Sequence, residues 1–186
     1  MARTFPALAV ISLVVMAAAM VLGFSIGDLY HSPSEQTLHA RGIHMLTGTA
    51  AALAVVLVHS IVITYFVGTS RWCKEVTETY GLEHELALRS AILKRKTFPW
   101  SVVGMLTVVG VGALGAASDP GTGRANTATM APNHYIGALL GLALVSWTYF
   151  RAWLNVVENQ QVINQIVALV RKIRQQHGLD ETSKSG

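Results

Sequence analysis

The stretch GIHMLTGTAAALAVVLVHSIVITYFVGTS, residues 42–70, contains no Asp, Glu, Lys or Arg. A helix of this length can cross the hydrocarbon core of a bilayer, which is about 30 Å thick. Three further uncharged stretches, each at least 22 residues long, cover residues 4–27, 97–118 and 125–150. Because every backbone polar group inside lipid needs an internal partner, these stretches predict transmembrane helices.

The predicted fold is an all-α membrane protein, with four transmembrane helices in one bundle within residues 1–155. The composition agrees, since 52% of the 186 residues are hydrophobic and only 13% are charged, against about 25% in a typical soluble domain. The first stretch is longer than the apolar core of a cleaved signal peptide, which indicates an uncleaved signal anchor. The expected spans cover about residues 5–26, 42–67, 98–117 and 134–154.

The Lys and Arg residues predict that both termini face the cytoplasm. With the N-terminus inside, 12 of the 14 Lys and Arg residues fall on the cytoplasmic side, and only Arg41 and Arg124 fall outside. Cytoplasmic segments are enriched in positive residues. We expect a plasma membrane, of the bacterial inner-membrane type, and contact with the lipid bilayer. The net charge of +4 is small, and no sequence feature indicates nucleic-acid binding.

The two outer connections, residues 28–41 and 118–133, are predicted to differ in structure. In the first, Ser32 is the expected N-cap of a short surface helix, with Pro33 at its first position and Glu35 at its third. The second is rich in Gly, Pro, Thr and Asn, which is typical of an irregular loop.

The apolar pattern continues beyond the fourth span as a heptad repeat, which predicts a cytoplasmic extension of that helix over residues 156–178. A seam of this kind packs against a partner helix. The partner is predicted to be the inner segment Leu82–Leu93, a second copy of the chain, or another membrane subunit. Residues 179–186 are predicted to be a disordered tail. The seam consists of Val156, Asn159, Ile163, Ile166, Val170 and Ile173.

His44 and His134 are predicted to lie at the outer ends of the second and fourth spans. These two helices run in the same direction, so their imidazoles should lie at a similar depth. Two opposed imidazoles in a bundle suit axial ligation of haem iron. Gly48 and Gly137, about one turn below, would leave room for a flat macrocycle. The arrangement resembles the small b-type cytochromes of respiratory membranes, which implies haem b and electron exchange with quinone or a partner.

Other interpretations of the histidines stay open. His44 and His134 could be interfacial helix ends that bind loops or water, or they could hold copper, since imidazole and thioether suit that metal. His59, about 22 Å deeper along the helix, is a weaker candidate for cofactor contact. Its alternatives are a hydrogen bond to a hydroxyl such as Ser146 or Thr107, a quinone contact or a proton relay. The other candidate copper ligands on the outer rim are His31, His39, Met45 and Met130.

The segment from Arg151 through Asn155 to Glu158 resembles the Arg, Asn and Glu pattern of the membrane-associated eicosanoid and glutathione enzymes. Those enzymes also have four helices, and their motif lies on the second span rather than after the fourth. The resemblance implies a small membrane enzyme. No P-loop, dinucleotide fingerprint or zinc-protease motif occurs, and the single cysteine, Cys73, excludes an intrachain disulfide.

Three functions follow from these patterns. Small residues such as Ala19, Gly23 and Gly27, spaced four apart on the first span, allow close helix packing. With the heptad seam, they favour a non-catalytic anchor or accessory subunit of a larger membrane complex. The alternatives are a haem b electron-transfer subunit and, after it, the enzyme.

Overall fold

The structure, a computed structural model, describes residue 1 and residues 3–178. The described chain is all-α and contains no strand. Four helices are long and apolar enough to cross a membrane, which confirms the predicted fold class at that level. The predicted tail, residues 179–186, lies outside the described residues. The helices are α1 Thr4–Phe24, α2 Glu35–Thr79, α3 His84–Ser118 and α4 Thr127–Gln176, with a single 3-10 turn, Pro120–Thr122, before α4.

The helices form an up-and-down bundle in which each packs on its neighbour in sequence. α4 also contacts α1 and α2. The centre of the bundle is mainly apolar and completely enclosed, as Val55 and Val62 of α2 and Val145 and Val156 of α4 show. Large apolar side chains such as Leu53 point outwards. A continuous apolar exterior of this kind is unusual for a protein in water and fits a lipid environment.

The ends of α2, α3 and α4 on the predicted inner side form a second core. Cys73 of α2 and Leu86 of α3 are buried against Val162 and Ile166 of α4. Residues 156–176 continue α4 without a break and pack on the same chain. Three other apolar residues of the seam are also covered. Val156 is buried in the central core of the bundle, while Ile163 and Val170 are half-buried at the edge of the second core.

The chain itself covers most of the heptad seam. The seam on α4 is covered by α2 and by the segment that begins at Leu82, the first of the three predicted partners. Ile173, the last residue of the seam, is half-exposed and does not belong to the second core. Association with a second copy or another subunit stays a prediction, without the support that an uncovered seam would have given.

A buried side-chain amide on α4 forms hydrogen bonds with both α2 and α3. Asn159 of α4 has no exposed surface. Its Nδ2 donates to Tyr65 Oη at 3.1 Å and to Thr69 Oγ1 at 3.0 Å, and its Oδ1 accepts from Ser90 Oγ at 2.8 Å. An amide whose partners lie on two other helices fixes their relative register, because any slip would leave buried polar atoms unpaired.

The helix ends differ from the predicted ones. The N-cap of α2 is Ser34, whose Oγ accepts from the Thr37 backbone N–H at 3.1 Å. The expected N-cap, Ser32, has a left-handed φ of 53°, and the surface helix runs unbroken into the span. α4 already begins at Thr127, so half of the second outer connection is helical. Pro132 lies in the second turn of α4, where one missing N–H leaves a single carbonyl near the helix end unpaired.

Candidate functional site

A cavity of about 680 Å³ lies in the predicted outer half of the bundle. Its size is within the range of small-molecule and cofactor sites, about 300–1,000 Å³. Both His44 and His134 line it, so the structure brings the two predicted ligands together. Met16, Val108 and Leu142 line its deep end, and Asp28, Arg41 and Asp119 line its mouth near the outer connections.

The rings of His44 and His134 lie close to one another, on two different helices. Their centres are 6.1 Å apart, and their planes are inclined by 73°. An imidazole nitrogen lies about 2 Å from a bound metal such as zinc, and the ring centre lies about 1 Å further back, so imidazoles on opposite sides of one metal have centres roughly 6 Å apart. The observed separation fits two axial ligands of a single metal.

His44 is held in one tautomer by α1. Its Nδ1 lies 2.9 Å from the carbonyl oxygen of Ala19. A carbonyl only accepts, so Nδ1 carries the hydrogen, and the Nε2 of the neutral ring keeps its lone pair. Metal-binding histidines generally donate their other N–H to a carbonyl or carboxylate in this way.

His134 is held less completely. Its Nδ1 is buried and makes no hydrogen bond of normal geometry within the described chain, although the backbone of Val111 lies near it. A buried polar atom without a partner is uncommon. The two imidazoles are thus inequivalent, with His44 oriented by a carbonyl and His134 oriented mainly by packing.

Each imidazole lies against a glycine of a neighbouring helix. A Cβ at Gly23 of α1 would be 2.9 Å from His44 Cε1, and a Cβ at Gly115 of α3 would be 3.1 Å from His134 Cε1. Sequence reasoning did not assign these glycines to the site. The small-residue pattern of the first span was a signal, but it indicated only close packing.

The two glycines predicted to make room for a macrocycle have different roles. Gly48 lines the cavity and has open space beside it. Gly137 does not line the cavity, and a Cβ there would be 2.5 Å from Leu114 Cδ1, so it permits close packing of α4 on α3. Gly112 of α3 lines the cavity instead, again with open space beside it.

Of the rim residues predicted as copper ligands, only Met45 lines the cavity with the two imidazoles. His31 is exposed and pairs with Asp28, with 2.9 Å between Nδ1 and Oδ2, and His39 is exposed. Within residue 1 and residues 3–178, no group of three or more His, Cys, Asp or Glu side chains could hold a metal ion. Haem needs only two axial ligands from the protein, so the pair of imidazoles suits haem better than a bare ion.

His59 belongs to a separate environment. It is fully buried and does not line the cavity. Thr148 Oγ1 donates to the carbonyl of Val145 at 2.8 Å and lies 3.2 Å from His59 Nε2, so His59 donates to it. The hydroxyl partner is therefore Thr148 rather than Ser146 or Thr107.

The Arg, Asn and Glu residues of the enzyme-like segment also point to different places. Arg151 lies 5.9 Å from the ring centres of both Trp100 and Trp147. Asn155 is buried and donates to another helix, while Glu158 is exposed. The three side chains do not form one site.

No family model, curated protein or solved structure matches this chain.

Proposed function

We propose that the protein binds one haem b between His44 and His134 and transfers electrons in a membrane. The observation that carries this proposal is the 6.1 Å separation of the two rings across a cavity of ligand size. A haem held by two imidazoles has both axial positions filled, so it would carry single electrons rather than bind a substrate at iron.

The residues around the cavity each have a role in this proposal. His44 and His134 supply Nε2 atoms from two different helices. The carbonyl of Ala19 keeps the His44 hydrogen on Nδ1. Apolar side chains at the deep end, such as Val108 and Leu142, exclude water and lower the local dielectric, which is one of the ways a protein sets the potential of a redox group.

The test is the visible absorption spectrum of the protein, purified from cells supplied with haem precursors. We expect a Soret band and sharp low-spin bands on reduction. His44→Ala and His134→Ala should each abolish the low-spin spectrum. His39→Ala is the matched control, because His39 lies on the same rim but is exposed. A wild-type protein without haem would refute the proposal, and a spectrum that survives both substitutions would refute the assigned ligands.

A non-catalytic anchor or accessory subunit is the alternative. It no longer has the uncovered seam as support, since α2 and α3 cover it. It would require a colourless protein that copurifies with other subunits. Mass measurement of the solubilised protein, with the spectrum, separates the two functions.

We also propose that the cavity mouth faces outwards and that both termini face the cytoplasm, supported by the split of Lys and Arg residues. Single cysteines placed in a Cys73→Ser background test this orientation. Thr122→Cys, in the outer connection, should react with an impermeant maleimide on intact cells, and Glu83→Cys should react only after permeabilisation. The reverse pattern would invert the topology.

A further inference from the structure

The cavity changes character along its length. Its deep end is apolar, whereas its mouth carries the charged residues Asp28, Arg41 and Asp119. A molecule that fills it should therefore have an apolar edge and a charged edge. Arg41 is the cation of this mouth, and it lies three residues before His44 on α2, about one turn further out.

Arg41 has unused hydrogen-bonding capacity. Its Nη2 donates to Asp119 Oδ2 at 2.7 Å, but its Nε is buried and makes no hydrogen bond within the described chain. A guanidinium carries five N–H donors in a fixed planar fork that matches a carboxylate. A buried N–H without an acceptor is unfavourable, so Asp119 alone does not satisfy this guanidinium, and a ligand oxygen on the cavity side of Arg41 would add a second acceptor.

Asp119 does not replace such a ligand. Its Oδ1 accepts from the backbone N–H of Gly121 at 3.0 Å, which fixes it to the 3-10 turn, and its Oδ2 takes only one nitrogen of the Arg41 fork. Asp28, the other carboxylate of the mouth, is occupied by the backbone N–H of Tyr30 and by His31. Arg41 is thus the one charged group there, among the described residues, with a buried donor left over.

We infer that Arg41 binds a propionate carboxylate of the haem and so orients its acidic edge towards the outer mouth. This inference rests on the proposed haem site. It assigns an orientation that the two imidazoles cannot set, since they define only the axis through the iron. The apolar edge then lies against the deep end of the cavity, and the acidic edge lies near the outer connections.

The test compares haem b with its dimethyl ester, in which both carboxylates are blocked. Both ligands are titrated into the purified apoprotein, and the low-spin band reports binding through the imidazoles. The wild-type protein should bind haem b at least tenfold more tightly than the ester, since a hydrogen bond to a charged group is worth a factor of about ten or more. Arg41→Gln should bind both ligands with the affinity of the ester.

Two further variants control the comparison. Arg124→Gln removes the other outer arginine, which is exposed and does not line the cavity, and should keep the wild-type preference for haem b. Asp119→Asn frees Nη2 of Arg41 and should increase that preference. It also separates loss of the ion pair from loss of the guanidinium.

The outcomes are distinct. If neither ligand binds to the wild-type protein, the proposed haem site fails and this inference fails with it. If both bind equally well and give low-spin spectra, the haem site stands and the role of Arg41 is wrong. The same conclusion follows if Arg41→Gln retains the preference of the wild-type protein.

Discussion

Gly23 lies directly against the ring of His44, where an added Cβ would be only 2.9 Å from Cε1. Gly115 stands in the same relation to His134, at 3.1 Å. α1 and α3 therefore supply no ligand but determine where both rings lie. The candidate site consequently depends on all four helices, although only α2 and α4 carry its histidines.

The first prediction concerns these two glycines. Gly23→Val and Gly115→Val should each displace an imidazole, and overpacking of this kind costs about 1–3 kcal/mol. We expect the low-spin haem spectrum to weaken or disappear, while the protein remains folded in detergent. Gly110→Val is the control, because a Cβ at Gly110 meets nothing within 4 Å. Unchanged spectra in both variants would show that the glycines do not position the rings.

The second prediction separates His59 from the haem site. Thr148→Val removes the acceptor of the buried His59 Nε2–H, and an unpaired buried donor costs about 1–3 kcal/mol. The free energy of unfolding should fall by this amount, and the haem spectrum should not change. Thr47→Val is the control, because its hydroxyl bonds only to its own helix at Ile43. A changed haem spectrum in Thr148→Val would mean that His59 and the cavity are coupled.

The sequence was sufficient to locate the helices and to pair His44 with His134. Long uncharged runs identify helices that can lie in lipid. Two such helices that run in the same direction place their outer ends, and the histidines there, at a similar depth. It was not sufficient for the helix ends, because α3 begins at His84 and continues through Pro99. The roles of Gly23 and Gly115 depend on how the helices are rotated about their axes, and single-sequence periodicity does not determine that rotation.

The partner of the heptad seam shows the same limit. A repeat indicates that Ile166 is buried, but it does not indicate by what. The structure covers Ile166 with Cys73 and Leu86 of the same chain, because α2 and α3 also extend beyond their spans. Those extensions contain many charged residues, so the uncharged runs alone did not reveal them.

The third prediction uses Cys73 as a reporter of this inner core. Cys73 is fully buried, and burial raises the pKa of its thiol, so less of the reactive thiolate forms. We expect negligible maleimide labelling of the native protein. Ile166→Ala should open the core, at a cost of about 2–5 kcal/mol, and accelerate labelling.

The control for this experiment is Leu169→Ala, since Leu169 lies nearby on α4 but is 40% exposed. Slow labelling in Ile166→Ala, combined with a changed oligomeric state, would favour an intersubunit role for the seam. Rapid labelling without a change in mass would favour the intrachain core.

The fourth prediction concerns Asn159. Replacing it with Ala leaves the side-chain hydroxyls of Tyr65, Thr69 and Ser90 without their shared partner. Ser90 is buried, and leaving its hydroxyl unpaired costs about 1–3 kcal/mol. Tyr65 and Thr69 are half-buried, and Thr69 keeps its hydrogen bond to the Tyr65 carbonyl, so they add less to the expected drop in thermal stability in detergent. Asn164→Ala should have little effect, because Asn164 is exposed and accepts only from Gln160. Equal effects of the two substitutions would contradict the proposed register-fixing role.

The last prediction concerns the pH dependence of the Arg41–Asp119 pair. Burial raises the pKa of Asp119, but the hydrogen bonds from Arg41 and from the Gly121 backbone outweigh it, and the net pKa lies below 3.8. A carboxyl with a depressed pKa in the folded state stabilises the protein above its unfolded pKa, and this contribution is lost as the pH falls through the folded value. At neutral pH, Asp119→Asn should therefore lower the free energy of unfolding. The difference from the wild-type protein should shrink progressively once the pH falls below 3.8, as measured by denaturant unfolding in detergent. Glu158→Gln removes an exposed carboxylate and should leave stability nearly unchanged throughout. A difference for Asp119→Asn that stays constant into strong acid would mean that the pair does not contribute through its charge.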